Sequence, residues 1–440
     1  MDVDLGQLRE PCACGMEHNI DVEKIVIESG AVSQLEEILE EFQNPVFICD
    51  SNTRTAAEPF LEEEFKDYPV IELNPEGLQA DNRGVNKVMK QLDYCDRGLS
   101  SVSVDVLVAI GGGTIHDLTR YAATEYDIPF VSIPTAASVD GYAANVAALT
   151  WDGLKRTVAG VSPRWILADT DIFSAAPSRL TASGVSDFLG KYISILDWKI
   201  AHLVTGEYIC EEVCDLLEKA LRDVSRVLED IRFGDKDAIE KLMYALLLSG
   251  LCMQMVESPR PVSGAEHMVS HLWDLNVLNE KTNALHGEQV GLGLLIVTDY
   301  YKKLGYAIRH KNVTVKSETA KGLEMSLLEH TFGKKGLLEG ILTENTPNPL
   351  EDIDLEELEE QLPEIEDLID DLPDADDMYA KLHDAGCVHE ISNLGIDKEK
   401  VELTLQSSPY VRNRLTLLRL SKLLEWKHPS AAQIIPDFEG

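Results

Sequence analysis

The rhythm of apolar positions changes partway along this chain. In the first part, short apolar runs alternate with amphipathic stretches, the pattern of βαβ units. Pro45–Cys49 reads as a buried strand ending at Asp50, with the turn-prone Ser51 and Asn52 behind it. Tyr68–Leu73 reads as the next strand. Val104–Ile110 is a third, running straight into Gly111-Gly112-Gly113-Thr114 and then a helical stretch through Ala123. Pro129–Ile133, closed by Pro134-Thr135, is a fourth. Past about residue 175 the period becomes 3.6 and strand signals almost vanish. Helices are predicted over Val185–Leu203, Glu207–Ile231, Lys236–Met255, His267–Leu275 and Glu288–Leu304. The expectation is an α/β half over residues 1–175 with a parallel, helix-covered sheet, then an all-helical half over 176–440. A ligand site between such halves is the usual arrangement.

Composition narrows the partners. The 440 residues are 44 % hydrophobic, an ordinary globular share, but carry 77 acidic against 39 basic side chains, a formal net charge of −38. Such a field repels phosphate backbones and anionic membranes, so nucleic acid is not an expected partner. Met1–Glu10 has neither the basic nor the apolar region of a signal peptide. No stretch reaches the roughly 18 apolar residues of a membrane span. The eight cysteines follow no disulfide framework, which suits reduced thiols in a cytoplasm. Cys12-Ala-Cys14-Gly15, with His18 after it, offers three metal-ligand types, and is read as a loop of free thiols. From Glu351 to Asp377 acidic residues are spaced among leucines and isoleucines, as in an acidic amphipathic helix pair on the surface.

Two sets of residues could carry chemistry. A strand that enters Gly111-Gly112-Gly113-Thr114 and leaves as a helix makes a phosphate cradle, since glycine permits close approach and the helix start offers unbonded N–H groups. It departs from G-x-G-x-x-G, whose last position would be His116, so a tight structural turn is the alternative. Pro134-Thr135-Ala136-Ala137-Ser138 follows the next strand and would lie beside it, which suits a dinucleotide. Asp50 could accept from a ribose hydroxyl or be an ordinary turn aspartate. The second set begins with His267 and His271, one helical turn apart and so on one face. Met268 occupies the place where a zincin metalloprotease needs glutamate. His286 opens a later helix and Asp187 lies near the start of the first long one, in Gly184-Val185-Ser186-Asp187. Imidazole and carboxylate ligands suit Zn²⁺, Ni²⁺ or Fe²⁺, and three protein ligands mark a catalytic rather than a closed site. Ordinary core or surface histidines are the other reading.

Taken together, Val108-Ala-Ile-Gly-Gly-Gly-Thr-Ile-His-Asp117, Ile133-Pro-Thr-Ala-Ala-Ser-Val-Asp-Gly141, Ser263-Gly-Ala-Glu-His267 and Leu285-His-Gly-Glu-Gln-Val290 resemble the sn-glycerol-1-phosphate dehydrogenases. These belong with glycerol dehydrogenase, iron-containing alcohol dehydrogenase and 3-dehydroquinate synthase, and the likeness runs over roughly residues 20 to 310. It implies a dehydroquinate synthase-like fold: an α/β N-terminal Rossmann-like domain for the nicotinamide cofactor and an all-α C-terminal domain for metal and substrate. By the same resemblance, Asp187, His267 and His286 are the metal ligands, for Ni or Zn, and Asp140 and His271 touch the substrate. Gly111, Gly112, Gly113, Thr114, Ile115, Thr135 and Ser138 contact NAD or NADP, and Asp50 lies near the adenosine ribose. Ala144 departs from the pattern, where a hydroxyl is expected to help hold the cofactor.

The implied reaction is reduction of dihydroxyacetone phosphate to sn-glycerol-1-phosphate in the cytoplasm. Its small phosphate substrate needs local cations against the acidic field. Lys155, Arg156, Lys191 and Arg260 are available, and Lys191 or Arg260 is expected at the phosphate. A glycerol or related polyol dehydrogenase would need no such clamp. A dehydroquinate-synthase-like lyase would carry glutamate where this chain has Asp187. A homo-oligomer is compatible with all of these.

Overall fold

A computed structural model of the chain describes residues 3–98, 103–280 and 282–427, so the extreme ends of both expected domains lie outside the described residues. The chain divides into two compact units. One comprises Met1–Phe188 with Arg222–Ser258, the other Leu189–Leu221 with Pro259–Gly440.

The first unit is built on a six-stranded sheet. Its strands are β1 (Lys24–Glu28), β2 (Pro45–Asp50), β3 (Val70–Leu73), β4 (Val106–Gly111), β5 (Phe130–Pro134) and a last strand, Trp165–Asp169. A separate antiparallel hairpin, β6 (Val146–Trp151) and β7 (Leu154–Ala159), precedes that last strand, which is therefore β8. The sheet order is β1-β8-β5-β4-β2-β3, and every pairing is parallel. Period-two alternation explains why both faces are covered. On β4, Val106, Val108 and Ile110 enter one apolar cluster, while Leu107 and Ala109 enter the other. The four strands read from the sequence are present. β1, β8 and the hairpin are additional, and the apolar stretches of β1 and β8 are too short for periodicity to identify.

Helix Lys236–Met255 also belongs to this unit. It is the one helix among the described residues long and apolar enough to cross a membrane, and 83 % of its most apolar window is buried. It is a core helix.

Among the described residues, the second unit is helical apart from one short antiparallel pairing of Val313–Val315 with Leu424–Trp426. Its main helices are Lys191–Thr205, Ala265–Asp274, His286–Arg309, Leu355–Asp370 and Ala375–Asp384. The expected helix Val185–Leu203 is two, Ser178–Leu189 and Lys191–Thr205, parted at Gly190. The acid-rich segment supplies the pair Leu355–Asp370 and Ala375–Asp384. Leu358, Leu362, Ile365 and Ile369, spaced three or four apart, bury one face of its first helix against Lys191–Thr205 and His286–Arg309. Its charges stay on the solvent side.

Candidate metal and cofactor site

The glycine loop is shaped by three different constraints. Gly111 ends β4 and pairs with Pro134 of β5, so the two loops leave the sheet side by side. Thr135 N–H donates to Gly111 O at 3.1 Å. A Cβ on Gly111 would lie 2.6 Å from the Ile115 side chain, and one on Gly113 2.9 Å from Val139. A Cβ on Gly112 would meet nothing within 4 Å. Packing therefore dictates the outer two glycines, while Gly112 faces open space. Gly112 is the N-cap of helix Gly113–Tyr126 and makes no side-chain capping bond. The first-turn N–H groups of Gly113, Thr114 and Ile115 thus present uncapped donors and the positive end of the helix dipole. Thr135 and Ser138 are buried in the adjoining loop, where Ser138 Oγ donates to Tyr142 Oη at 3.0 Å and Tyr142 donates to Ala136 O at 2.6 Å. This donor set fits the phosphates of a nicotinamide dinucleotide.

His116, which broke the sequence fingerprint, fixes the loop from inside. Its Nδ1 is 3.0 Å from Gly112 O and its Nε2 is 2.8 Å from Ser132 Oγ. A carbonyl only accepts, so Nδ1 carries the proton and Nε2 accepts from Ser132. Complete burial pushes its pKa down to about 3, which keeps the ring neutral. One turn on, the buried Arg120 donates to Asp117 at 2.9 Å and to Gly141 O at 2.6 Å. It ties the glycine-loop helix to the segment that carries Asp140.

Asp140 accepts from Ser249 Oγ at 3.2 Å, and its own N–H donates to Asp187 Oδ2 at 3.1 Å. Asp187 is fully buried on helix Ser178–Leu189. A Cβ on Gly184 would stand 2.0 Å from Ala137 O, so glycine is what lets this helix backbone rest on residues 137–138. Asp50 caps helix Ser51–Ala57: its Oδ1 accepts from the amides of Asn52 and Thr53 at 2.8 and 3.0 Å.

In the second unit, His267 and His271 lie on helix Ala265–Asp274 and His286 opens helix His286–Arg309. The ring centroids of His267 and His286 are 5.2 Å apart, and that of His271 is 6.1 Å from each. His267 Nδ1 donates to Glu266 Oε1 at 2.6 Å, and that oxygen also accepts from Gly264 N–H at 2.9 Å. Ser270 Oγ donates to Gln289 Oε1 at 3.0 Å, so at 3.3 Å it accepts from His286 Nδ1. Both imidazoles commit Nδ1–H to protein acceptors, which fixes the tautomer that offers Nε2 to a metal. Behind them, buried Asp197 accepts from Ala265 N–H, Leu417 N–H and Tyr301 Oη, at 2.8, 2.7 and 2.7 Å. Burial raises its pKa to about 7.

Within the second unit, His267 and His286 each offer a ligand atom, and these lie within 4.8 Å of one another. Bonds of about 2.1 Å to one ion place its ligand atoms within about 4 Å of each other, so small side-chain adjustments suffice. Two neutral imidazoles are donors for a divalent transition ion, and a buried carboxylate such as that of Asp187 is the donor type that completes such a set.

Of the expected cations, Lys191 is fully buried at the start of its helix. Arg260 is 5 % exposed and grips Glu207 with Nε and Nη2 at 2.5 and 2.6 Å. Arg120, Ser249, Glu266 and Asp197 went unread in the sequence, and His116 was read only as the position that breaks the glycine fingerprint. Of the unread four, only Glu266 had a visible signal, its position beside a candidate ligand histidine.

Three comparisons bear on this arrangement. Residues 26–177 match the family model described as iron-containing alcohol dehydrogenase. The glycerol-1-phosphate dehydrogenase [NAD(P)+] of Geobacillus thermodenitrificans is 33 % identical over 307 residues, 68 % of this chain and 74 % of that one. Its namesake from Bacillus licheniformis is 36 % identical over 310 residues, 67 % and 74 % of the two chains. The crystal structure of an iron-containing alcohol dehydrogenase from Corynebacterium glutamicum, only 13 % identical, superposes with a TM-score of 0.61 over 96 % of this chain and 99 % of its own, which shows the shared fold. With about a third of the aligned residues identical across three-quarters of such relatives, the chain belongs to the glycerol-1-phosphate dehydrogenase family.

Proposed function

We propose that this protein reduces dihydroxyacetone phosphate to sn-glycerol-1-phosphate with NADH or NADPH and one divalent ion, Ni²⁺ or Zn²⁺. The observation that carries the reading is the pair His267 and His286, with both tautomers set by protein acceptors so that each offers Nε2 to an ion that Asp187 would complete. When bound, the ion supplies Lewis acidity toward a carbonyl oxygen and the nicotinamide supplies hydride.

The chain's own groups do the rest. Amides from Gly111 to Ile115 hold the cofactor phosphates, Thr135 and Ser138 flank them, and Asp50 accepts from the ribose. Asp140, oriented by Ser249, accepts a hydrogen bond from a substrate hydroxyl. His271, or a water that it orients, supplies the proton that completes the new hydroxyl. Lys191 and Arg260 hold the phosphate, with Glu207 fixing the plane of the guanidinium. The cytoplasm is the compartment we assign, since it keeps cysteines such as Cys49 and Cys252 reduced.

The test is NADH oxidation by metal-reconstituted protein offered dihydroxyacetone phosphate, with unphosphorylated dihydroxyacetone as control. Turnover requiring the phosphate, and lost in Asp187→Asn, is the expected result. Equal turnover of both ketones would replace this reading with a polyol dehydrogenase.

A further inference from the structure

The turn over residues 260–264 leads into the helix that carries His267 and His271, and two other stretches of the second unit fasten it. The first turn of helix Lys191–Thr205 is one: Ser194 Oγ donates to Pro261 O at 2.8 Å, and a Cβ on Gly264 would stand 2.8 Å from Ser194 Cα. The other comes from far along the chain, where Arg414 donates from Nη1 to Ser263 O. That stretch is itself pinned on either side of Arg414. Asn413 donates from its backbone to Glu344 Oε1 at 3.3 Å and from Nδ2 to Pro347 O at 3.1 Å, and Leu417 N–H donates to buried Asp197 at 2.7 Å. The position of Arg414 is thus set by its neighbours and not by an ion pair of its own.

A guanidinium offers five N–H donors and accepts nothing. Arg414 commits one nitrogen to the Ser263 carbonyl and, among the described residues, forms no ion pair. Arg260 contrasts with it, since Glu207 takes both Nε and Nη2. Burial first, then the like charges of Arg260 and Arg412, pushes the pKa of Arg414 down to about 9. It therefore stays protonated at neutral pH while two neighbouring cations oppose its charge. A neutral donor would serve the Ser263 carbonyl without that repulsion, so the carbonyl alone does not account for an arginine here. A bound anion accounts for it. A phosphate monoester brings negative charge and paired oxygens, which a guanidinium fork matches with two parallel hydrogen bonds.

We propose that Arg414 binds the substrate's phosphate beside Arg260 and so sets the preference for a phosphorylated ketone, a role that rests on the reaction proposed above. Ser263 stands four residues before His267, so the turn that contains Arg260 and receives Arg414 also starts the helix of a candidate metal ligand. Residue 414 lies beyond the stretch, roughly 20 to 310, over which the sequence resembles its relatives, and that resemblance assigns it no role.

The test compares the parent with Arg414→Met and Arg414→Lys, each as full-length, metal-reconstituted protein. The ratio of kcat/KM for dihydroxyacetone phosphate to that for dihydroxyacetone should fall at least about tenfold in Arg414→Met, chiefly through KM. Arg414→Lys, which keeps the charge and loses the fork, should lie between the two. Calorimetric titration with inorganic phosphate needs no turnover, and its Kd should rise at least about tenfold in Arg414→Met. A merely structural arginine would lower kcat/KM for both ketones together and leave the ratio constant. A ratio unchanged in both variants, or a phosphate Kd within about twofold of the parent, would overturn the proposal. If Arg414→Met does not fold, Arg414→Lys decides by the same two readings. A parent with no preference for the phosphorylated ketone would overturn the proposed reaction instead, and the titration then reads the anion site by itself.

Discussion

Glu266 is fully buried, yet its Oε1 is claimed by both the Gly264 amide and the His267 ring. Orienting partners of this kind typically change metal affinity 10- to 100-fold, roughly, when removed. Glu266→Gln keeps the size but weakens the acceptor, so the chelator concentration that strips the metal should drop by about an order of magnitude. Unchanged affinity would mean that the ring is held by packing alone. His116 gives a pH signature. Its pKa is depressed from 6.5 to about 3, so between those values the unfolded chain binds the proton that the native ring refuses. Its stabilising contribution is full above pH 6.5 and declines as pH falls, by about 1.4 kcal/mol per pH unit. Denaturant unfolding of the parent and His116→Gln at several pH values should show their difference shrinking toward acid. A constant difference would refute it. At this scale, the resemblance named the candidate metal ligands because they sit in short local motifs. Glu266 was visible only as the neighbour of His267, since a carboxylate's target depends on the fold.

Among the elements, glycines divide by what their missing Cβ would touch. Gly184→Ala would drive a methyl into Ala137 O at 2.0 Å. Helix Ser178–Leu189 or residues 137–138 must then shift, at about 1 to 3 kcal/mol of overpacking. Thermal melting should show the loss, and metal affinity should fall with it because Asp187 moves. Gly112→Ala has no such neighbour. It should melt like the parent and raise KM for the nicotinamide cofactor at least several-fold, because the added methyl occupies the space offered to phosphate. Normal cofactor KM in that variant would remove the glycine loop from the cofactor site. The long helices and four of the sheet strands were legible because their periods run for many residues. The hairpin β6–β7 was not, since its pattern is interrupted by the half-buried Lys155 and the exposed Arg156.

For the whole molecule, the net charge of −38 opposes an anionic substrate. Raising salt from about 0.01 to 0.15 M shortens the Debye length from about 30 to 8 Å and screens that repulsion. KM for dihydroxyacetone phosphate should fall over this range, by about two- to fivefold, while KM for an uncharged ketone stays constant. A rise with salt would mean that local cations such as Lys191 and Arg260 dominate the approach. Composition made this field readable. It could not show that the first unit takes back Arg222–Ser258 after the chain has entered the second. That return sets a timetable for biosynthesis. Ser249, which orients Asp140, and Gln254, which donates to Ala143 O, emerge from the ribosome only after the sheet strands and about eighty further residues. At roughly 5 to 20 residues per second, the nascent sheet waits several seconds with its active-site loop unsupported, an interval in which chaperones and proteases can reach it.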